Sequence, residues 1–378
     1  MPKIGVQDWL AASQSILSGD LYRYSSTAHH LDAFEARFAA AMGAKHALAL
    51  NSGTSALVCA LAAAGVGPGD EVLVPAYTWM ATAAAAVMVG AVPVLVDIDE
   101  SLTIDPADIA RKITPHTRAI IPVHMINLPC AMDEIMALAG RHNLFVIEDA
   151  CQAVGVRYKD KFCGAIGDAG AYSFNAFKNI NIGEGGALTT NDERLFVRAR
   201  NYHDLGAPIR NHDLTSNEPP MIGANMRLTE LQGAMLNSQL ARLDPMVREL
   251  CAKRRIMADA LQQAGFRLAP HHTPEHAASL VVIFDTAEEA ETFAERSQVM
   301  RLLDSSKHVY TNWEAILAKR TFHPKMNPWA WAHREIDYSA ESCARSLDIL
   351  GRSCRVWLGQ RYPAPLMRLA AKRLARPL

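Results

Sequence analysis

Between residues 46 and 190 the chain alternates short, apolar, β-branched runs with alanine-rich segments of helical length. The runs are "HALALN" (46–51), "EVLV" (71–74), "VPVLVD" (92–97), "RAIIPVH" (118–124), "LFVIED" (144–149), "AGAYSF" (169–174) and "GALTT" (186–190). Helical segments lie between them at 54–65, 78–90, 105–113 and 131–142. Strands that are apolar throughout need cover on both faces, and a strand–helix rhythm supplies it. The expected fold is α/β, a mostly parallel seven-stranded sheet with helices on both faces. Only a loop separates the last two runs, which lets one of them run antiparallel. Asp105 followed by Pro106 is expected to start one helix, and Thr78 to cap another.

Past this region the texture changes. Residues 227–265 read as long helices, with apolar residues three and four apart. A strand is expected over 279–285 and a helix over 287–297, then an irregular stretch rich in Trp, His and Pro at 308–331. No repeat or low-complexity linker interrupts the chain. The expected division is a large domain over 1–245 and a smaller carboxyl-terminal α/β domain over 246–378, packed closely together.

Lys and Arg total 38 against 39 Asp and Glu. That balance leaves no net basic field for nucleic acid or an acidic membrane. The terminal "RLAAKRLARPL" reads as the solvated face of a helix. "TWMATAAAAVMVGAVPVLV" (78–96) is apolar, but glycine and proline interrupt it, so a buried helix and strand explain it better than a membrane span. The amino-terminal "MPKIGVQDWLAASQSILSGD" lacks the positive start and continuous apolar core of a signal peptide. The seven cysteines show no metal-ligand spacing, and an odd count is a poor disulfide framework. A reduced, cytoplasmic setting and no metal site are expected.

In such sheets ligands bind beyond the carboxyl ends of the strands. "NSGTSAL" (51–57) follows the first strand. Its backbone N–H groups and hydroxyls, Thr54 and Ser55 among them, can hold a phosphate at a helix start; a plain helix cap is the alternative. Trp79 follows the second strand, placed to stack on a flat ring or to fill the core. "EDACQA" (148–153) puts two carboxylates at the end of an apolar strand, where buried charge needs a partner. For Asp149 that partner is a protonated heteroaromatic nitrogen or the backbone of a helix start. Lys178, in "SFNAFKNINIGEGG" (173–186), sits just past the sixth strand, and the glycines after it let backbone come close. Apolar walls strip an ammonium of its water and free the amine as a nucleophile; a surface position is the alternative for any single lysine. A phosphate turn, a stacking aromatic, a buried aspartate and a lysine on one sheet edge form the inventory for pyridoxal phosphate. The lysine would form a Schiff base and the aspartate would keep the pyridine nitrogen protonated.

The ordered set "SGTSAL", "GPGDEVLVPAYTW", "GAVPVLVDID", "EDACQAVG", "GDAGAYSFNAFKNINIGEGGALTTND" and "NMRLTELQGAML" resembles the fold-type I aminotransferases of nucleotide sugars and cyclitols, the DegT/StrS family. The resemblance runs from about residue 30 to 245 and more loosely to the end. It implies that Lys178 is the Schiff-base lysine, that Asp149 faces the pyridine nitrogen and that Gln152 lies near the ring hydroxyl. It places Gly53, Thr54 and Ser173 at the phosphate and Trp79 over the ring. It also implies that Asn225 reaches the phosphate of a neighbouring subunit's cofactor, hence a homodimer with shared active sites. Relatives that carry histidine in place of the lysine are dehydratases, so the lysine here favours transamination.

Three stretches depart from the family pattern. "VHMINLPC" has Asn127 near a common glycine position, and asparagine tolerates left-handed backbone. Ala176 and Phe177 replace small or hydroxyl residues before the lysine. "HVYTNWEAILAKR" (308–320) and "HPKMNPWAW" (323–331) look nearer a smaller branch that includes an aminotransferase making an 8-amino-octulosonate sugar. The resulting expectation is an aminotransferase moving an amino group from L-glutamate, or L-glutamine, to a ketone or aldehyde of a sugar-like acceptor by ping-pong kinetics. A dehydratase or lyase on the same fold is the alternative. A non-catalytic regulator is a further one, against which the intact lysine and aspartate argue. Candidates to line the acceptor pocket are Tyr22, Arg23, His124, His203, Tyr310, Asn312 and Trp313. Arg227 is a candidate for the donor carboxylate, or equally part of a helix start that pins the dimer.

Overall fold

The computed structural model describes residues 4–206, 217–358 and 364–374. Helices α1 (Val6–Ser18) and α2 (His30–Met42) lead in. Strands β1 (His46–Leu50), β2 (Glu71–Pro75), β3 (Val92–Val96), β4 (Thr117–Ile120) and β5 (Phe145–Asp149) then alternate with helices α3 (Gly53–Ala63), α4 (Ala81–Met88), α5 (Pro106–Lys112) and α6 (Met132–His142). A short hairpin, β6 (Arg157–Tyr158) and β7 (Lys161–Phe162), precedes β8 (Ala169–Ser173) and β9 (Gly186–Thr190).

All seven expected strands join one sheet, in the order β1-β9-β8-β5-β4-β2-β3. β9 pairs antiparallel with both β1 and β8, and the other pairings are parallel. The final strand is therefore the reversed one, because the chain returns through a loop too irregular to form a crossover helix. Asp105 caps α5 as expected, accepting from the Ala107 N–H at 2.8 Å with Pro106 at the first turn. Thr78 does not cap α4. That helix begins beyond Met80, and the Thr78 hydroxyl meets the Thr82 hydroxyl at 2.8 Å instead.

Helices α7 (Glu193–His203), α8 (Glu230–Leu240) and α9 (Leu243–Gln263) follow. A second sheet is antiparallel: β10 (Leu280–Ile283), β11 (Met300–Arg301) and β12 (Ser353–Val356), with β12 central and α10 (Ala287–Ser297) packed on it. α9 spans two cores. Leu243, Val247 and Leu250 pack into the core around the large sheet, while Met257, Ala258 and Leu261 pack into that of the second.

The irregular stretch after β11 consists of single-turn helices anchored by Tyr310 and Trp313, both wholly buried. Its backbone is stitched to the exit of β2: the Thr78 N–H donates to the His308 carbonyl at 2.9 Å, and the Tyr310 N–H to the Ala76 carbonyl at 3.1 Å. In the terminal helix Ala364–Leu374, Met367 and Ala371 are buried while Arg368, Lys372 and Arg373 face solvent. All seven cysteines are free. No helix among the described residues is long and apolar enough to cross a membrane.

Candidate active site

A cavity of about 790 Å³ opens where β1, β2, β5 and β8 end, a size that takes a cofactor and a small substrate. Gly53, Thr54, Trp79, Asp149, Gln152, Ser173 and Lys178 all line it.

At the β1 exit, the Ser52 hydroxyl accepts from the Ser55 N–H at 3.0 Å and caps α3. The N–H groups of Gly53 and Thr54, in the first turn, have no intrahelical acceptor and are left for an anion. The Ser55 hydroxyl donates to Asn51 Oδ1 at 2.6 Å, and Ser55 is not among the lining residues. Only glycine fits position 53, since a Cβ would lie 2.6 Å from Cys151 Sγ and 2.9 Å from Ser173 Cβ. The glycine-rich turn after Lys178 closes against the same place: a Cβ on Gly186 would fall 2.4 Å from the Ser52 carbonyl.

The two carboxylates of β5 part company, as neighbours in a strand must. Asp149 lines the cavity, its Oδ2 accepting from the Thr82 hydroxyl at 2.8 Å and its Oδ1 from the Cys151 N–H at 3.1 Å. No helix begins at Asp149, so it is not a helix cap. Glu148 faces away and is wholly buried. Backbone N–H groups of Gly164 (2.8 Å), Ile166 (2.6 Å) and Gly167 (2.7 Å) donate to it, and His124 Nε2 stands at 2.9 Å.

Gln152 uses its carbonyl to accept from the Ile126 N–H at 3.2 Å, leaving its NH2 group for a ligand in the cavity. The turn beside it takes left-handed backbone at both Ile126 (φ 46°) and Asn127 (φ 64°). Asparagine accommodates this, whereas a β-branched isoleucine is strained there. Asn127 Oδ1 accepts from Asn179 Nδ2 at 2.9 Å, which ties the turn to the lysine loop. That loop is further held by Phe174 N–H to the Gly185 carbonyl (2.8 Å) and Asn181 N–H to Gln239 Oε1 (2.8 Å). The amine of Lys178 has no hydrogen-bond or ion-pair partner among the described residues. Phe177 stands largely exposed at the cavity rim.

A wall from the carboxyl-terminal part of the chain was not foreseen at the level of single residues. His308, Arg355 and Trp357 line it. The rings of His308 and Trp79 are 5.2 Å apart. His308 Nδ1 stands 3.0 Å from the Ser305 carbonyl, the geometry of a donor, which leaves Nε2 bare. Burial pushes this imidazole below its ordinary range, and the Lys178 and Arg355 cations push the same way, so it is neutral near pH 7.

The remaining candidates lie elsewhere. His124 is wholly buried, held between Glu148 and the Cys130 N–H, which donates to Nδ1 at 3.1 Å. It does not line the cavity because those bonds consume both ring nitrogens. Tyr310 donates to the Ser339 carbonyl (2.9 Å), Trp313 Nε1 to the Lys307 carbonyl (2.8 Å) and Asn312 Nδ2 to the Ser306 carbonyl (2.9 Å), so all three shape the stretch from within. Tyr22, Arg23, His203, Asn225 and Arg227 gather around Tyr24 and Asp204, outside this chain's cavity lining. Arg23 pairs with Glu35 through Nη2 at 2.7 Å, its Nε and Nη1 buried without a hydrogen-bond partner among the described residues, and Arg227 pairs with Asp204. His203 is buried, its pKa pushed down to about 4 by burial with Arg23 adding. Asn225 is exposed. Thr82, which no motif pointed to, becomes part of the site through Asp149.

The site fits pyridoxal phosphate: a pair of N–H groups without an intrahelical acceptor where a Cβ would intrude, a fixed aspartate, and a lysine amine with no partner among the described residues. Residues 8–323 match the DegT/DnrJ/EryC1/StrS aminotransferase family. The spore coat polysaccharide biosynthesis protein SpsC of Bacillus subtilis (strain 168) is 39% identical over 323 residues, covering 82% of this chain and 81% of the relative. GDP-perosamine synthase of Caulobacter vibrioides is 37% identical over 326 residues, covering 84% of each. Among solved structures, the aminotransferase from Psychrobacter cryohalolentis superposes with a TM-score of 0.80 at 28% identity, covering 98% of this chain and 96% of that one. A match of that extent makes the chain a member of the DegT/DnrJ/EryC1/StrS aminotransferase family, an enzyme that works with pyridoxal phosphate.

Proposed function

We propose that the enzyme takes an amino group from L-glutamate, or L-glutamine, and delivers it to a ketone or aldehyde of a sugar-like acceptor in two ping-pong half-reactions. The observation that carries this reading is the Lys178 amine, without a partner among the described residues, in one cavity with Asp149 and the start of α3. The names of the two relatives, one in spore coat polysaccharide biosynthesis and one a GDP-perosamine synthase, support a sugar-like acceptor.

When bound, pyridoxal phosphate supplies an electron sink for charge developing at the substrate carbon. The protein does the rest. The N–H groups of Gly53 and Thr54, with Ser173 beside them, bind the phosphate at the helix start. Asp149, fixed by Thr82 and the Cys151 N–H, holds a proton at the ring nitrogen. The free NH2 of Gln152 would donate to the oxygen of the ring hydroxyl, and Trp79 would cover the ring and exclude water. Lys178 would take the proton from the donor Cα and return it two atoms along, at the carbon beyond the nitrogen, as a general base and then acid. In this reading residues 1–245 bind the cofactor and 246–378 wall the substrate side.

The reading includes a cytoplasmic homodimer. α1 leaves Trp9, Leu10, Ile16 and Leu17 exposed, an apolar surface that suits a partner copy. Exposed Asn225 would then reach the neighbouring site, with the Tyr22–Arg23–Arg227 cluster at the interface. Sedimentation reads the mass directly, and a monomer at working concentration sinks this part.

The cofactor-loaded enzyme is expected to lose its visible absorbance on adding L-glutamate and to regain it with 2-oxoglutarate. Persistence of the absorbance with glutamate and glutamine alike would point to a dehydratase or lyase instead.

A further inference from the structure

The wall that β12 gives the cavity carries a charge that nothing among the described residues answers. Cys354 and Val356 pack into the second core, so strand alternation turns Arg355 between them to the other face. It lines the cavity. Its Nε has neither a hydrogen-bond partner nor contact with solvent, and no ion pair reaches its guanidinium among the described residues. Its one ring contact is Trp357, 5.6 Å from Cζ to centroid.

Arginine remains charged in proteins, so burial does not neutralise it. Arg355 is partly buried, with Nε fully shielded, and a charge partly withdrawn from water is costly unless an opposite charge offsets it. The neighbours do not supply one. Tyr77 is buried, and desolvation pushes its phenol up to about 12, while His308 is held neutral. The carboxylates on the cavity wall are engaged, Asp149 by Thr82 and Glu184 by Asn175 Nδ2 at 2.8 Å. The phosphate turn is a separate place, at the start of α3. Arg355 acts instead on Tyr77 and His308, at the β2 exit beside Trp79.

We propose that Arg355 is the carboxylate anchor of this cavity, receiving a carboxylate of the molecule that enters beside Lys178. The inference rests on the aminotransferase reading of the site. The carboxylate has two sources, the amino donor or an acid group on the sugar-like acceptor. A guanidinium fork matches a carboxylate through two parallel N–H donors, which a lysine does not.

Three non-reacting probes test it on the cofactor-loaded enzyme by calorimetry: glutarate as a donor analogue, methyl β-D-glucuronide as a sugar acid, and methyl β-D-glucoside as its neutral control. R355Q is expected to weaken binding of a carboxylate probe by roughly 30- to 100-fold, with R355K in between. Loss confined to glutarate assigns the donor. Loss confined to the glucuronide, with the glucoside unchanged, assigns an acidic acceptor. In thermal melts the same probe raises the midpoint of the wild type and not of R355Q, a response that a purely structural arginine would not show. Retained visible absorbance certifies that R355Q is folded and loaded; if it is lost, R355K carries the comparison. Binding of both carboxylates by R355Q within threefold of wild type overturns the proposal, as does their failure to bind the wild type. Neither outcome depends on bleaching by L-glutamate, which tests the aminotransferase reading separately.

Discussion

The cavity has two kinds of wall. One is the row of strand ends, where Asp149 and Ser173 close their own strands and Gly53 and Lys178 lie a few residues past theirs. The other is set by β12 and the stretch around His308, residues far from one another in sequence and joined by tertiary packing alone. The first is built from main-chain geometry: a helix start, two glycines that a Cβ would spoil, a carboxylate fixed by a hydroxyl and an N–H. The second is built from side chains, Trp357, His308 and Arg355. Backbone geometry suits a constant ligand, the cofactor. A side-chain wall can be re-cut without disturbing the sheet, which suits the part that selects a substrate.

That contrast can be broken at several points. The largest effect belongs to K178A, which is expected to abolish the visible absorbance of the bound cofactor and lower turnover by more than about 1,000-fold. Full absorbance in the mutant would remove Lys178 from the chemistry. Next comes G53A. Its Cβ must displace Cys151 or Ser173, an overpacking worth about 1–3 kcal/mol, so cofactor affinity is expected to fall roughly 10- to 100-fold by equilibrium dialysis. Unchanged affinity would mean that the start of α3 does not cradle the phosphate.

A third test uses a residue in neither wall. Folded His203 has a pKa of about 4, below the ordinary imidazole value near 6.5. As pH falls from 6.5 towards 4 the unfolded chain takes up the proton first. The stability this group confers is thus complete above 6.5 and lost on descent. H203Q is expected to flatten the decline in unfolding free energy from urea melts between pH 7.5 and 5 by about 2 kcal/mol while leaving cofactor absorbance intact. An unchanged slope would show that His203 titrates normally. The smallest effect is expected from T82V, which removes one hydroxyl donor to Asp149 and is worth about 1–2 kcal/mol. The expected result is a roughly tenfold fall in turnover, with cofactor affinity nearly unchanged.

The sheet was legible because each apolar run is bounded by polar or glycine-rich turns and nothing non-local is needed to see it. The same holds for the strand-end wall, where every residue sits inside a short local motif. The start of α4 was misread because Thr78 has the right chemistry for a cap, yet its hydroxyl is drawn to Thr82 and the chain continues past Trp79 before turning helical. His124 looked like a ligand-edge residue because it ends a strand run. Its fate was decided by Glu148, whose alternation to the far face demanded a donor there. Arg355 left one signal that went unread: an arginine inside the apolar run "SCRVWL" is out of place in a strand unless something in its surroundings compensates it.

Helix α9 has a consequence for how the protein comes apart. Its first two turns are fastened to one core and its last two to the other, along 21 residues of continuous backbone hydrogen bonding. Melting either sheet strips that end of the helix and frays it toward the other. The two sheets therefore lose structure together in one cooperative transition, and damage to the second core, such as M257A, reaches the cofactor end of the molecule as a lowered midpoint.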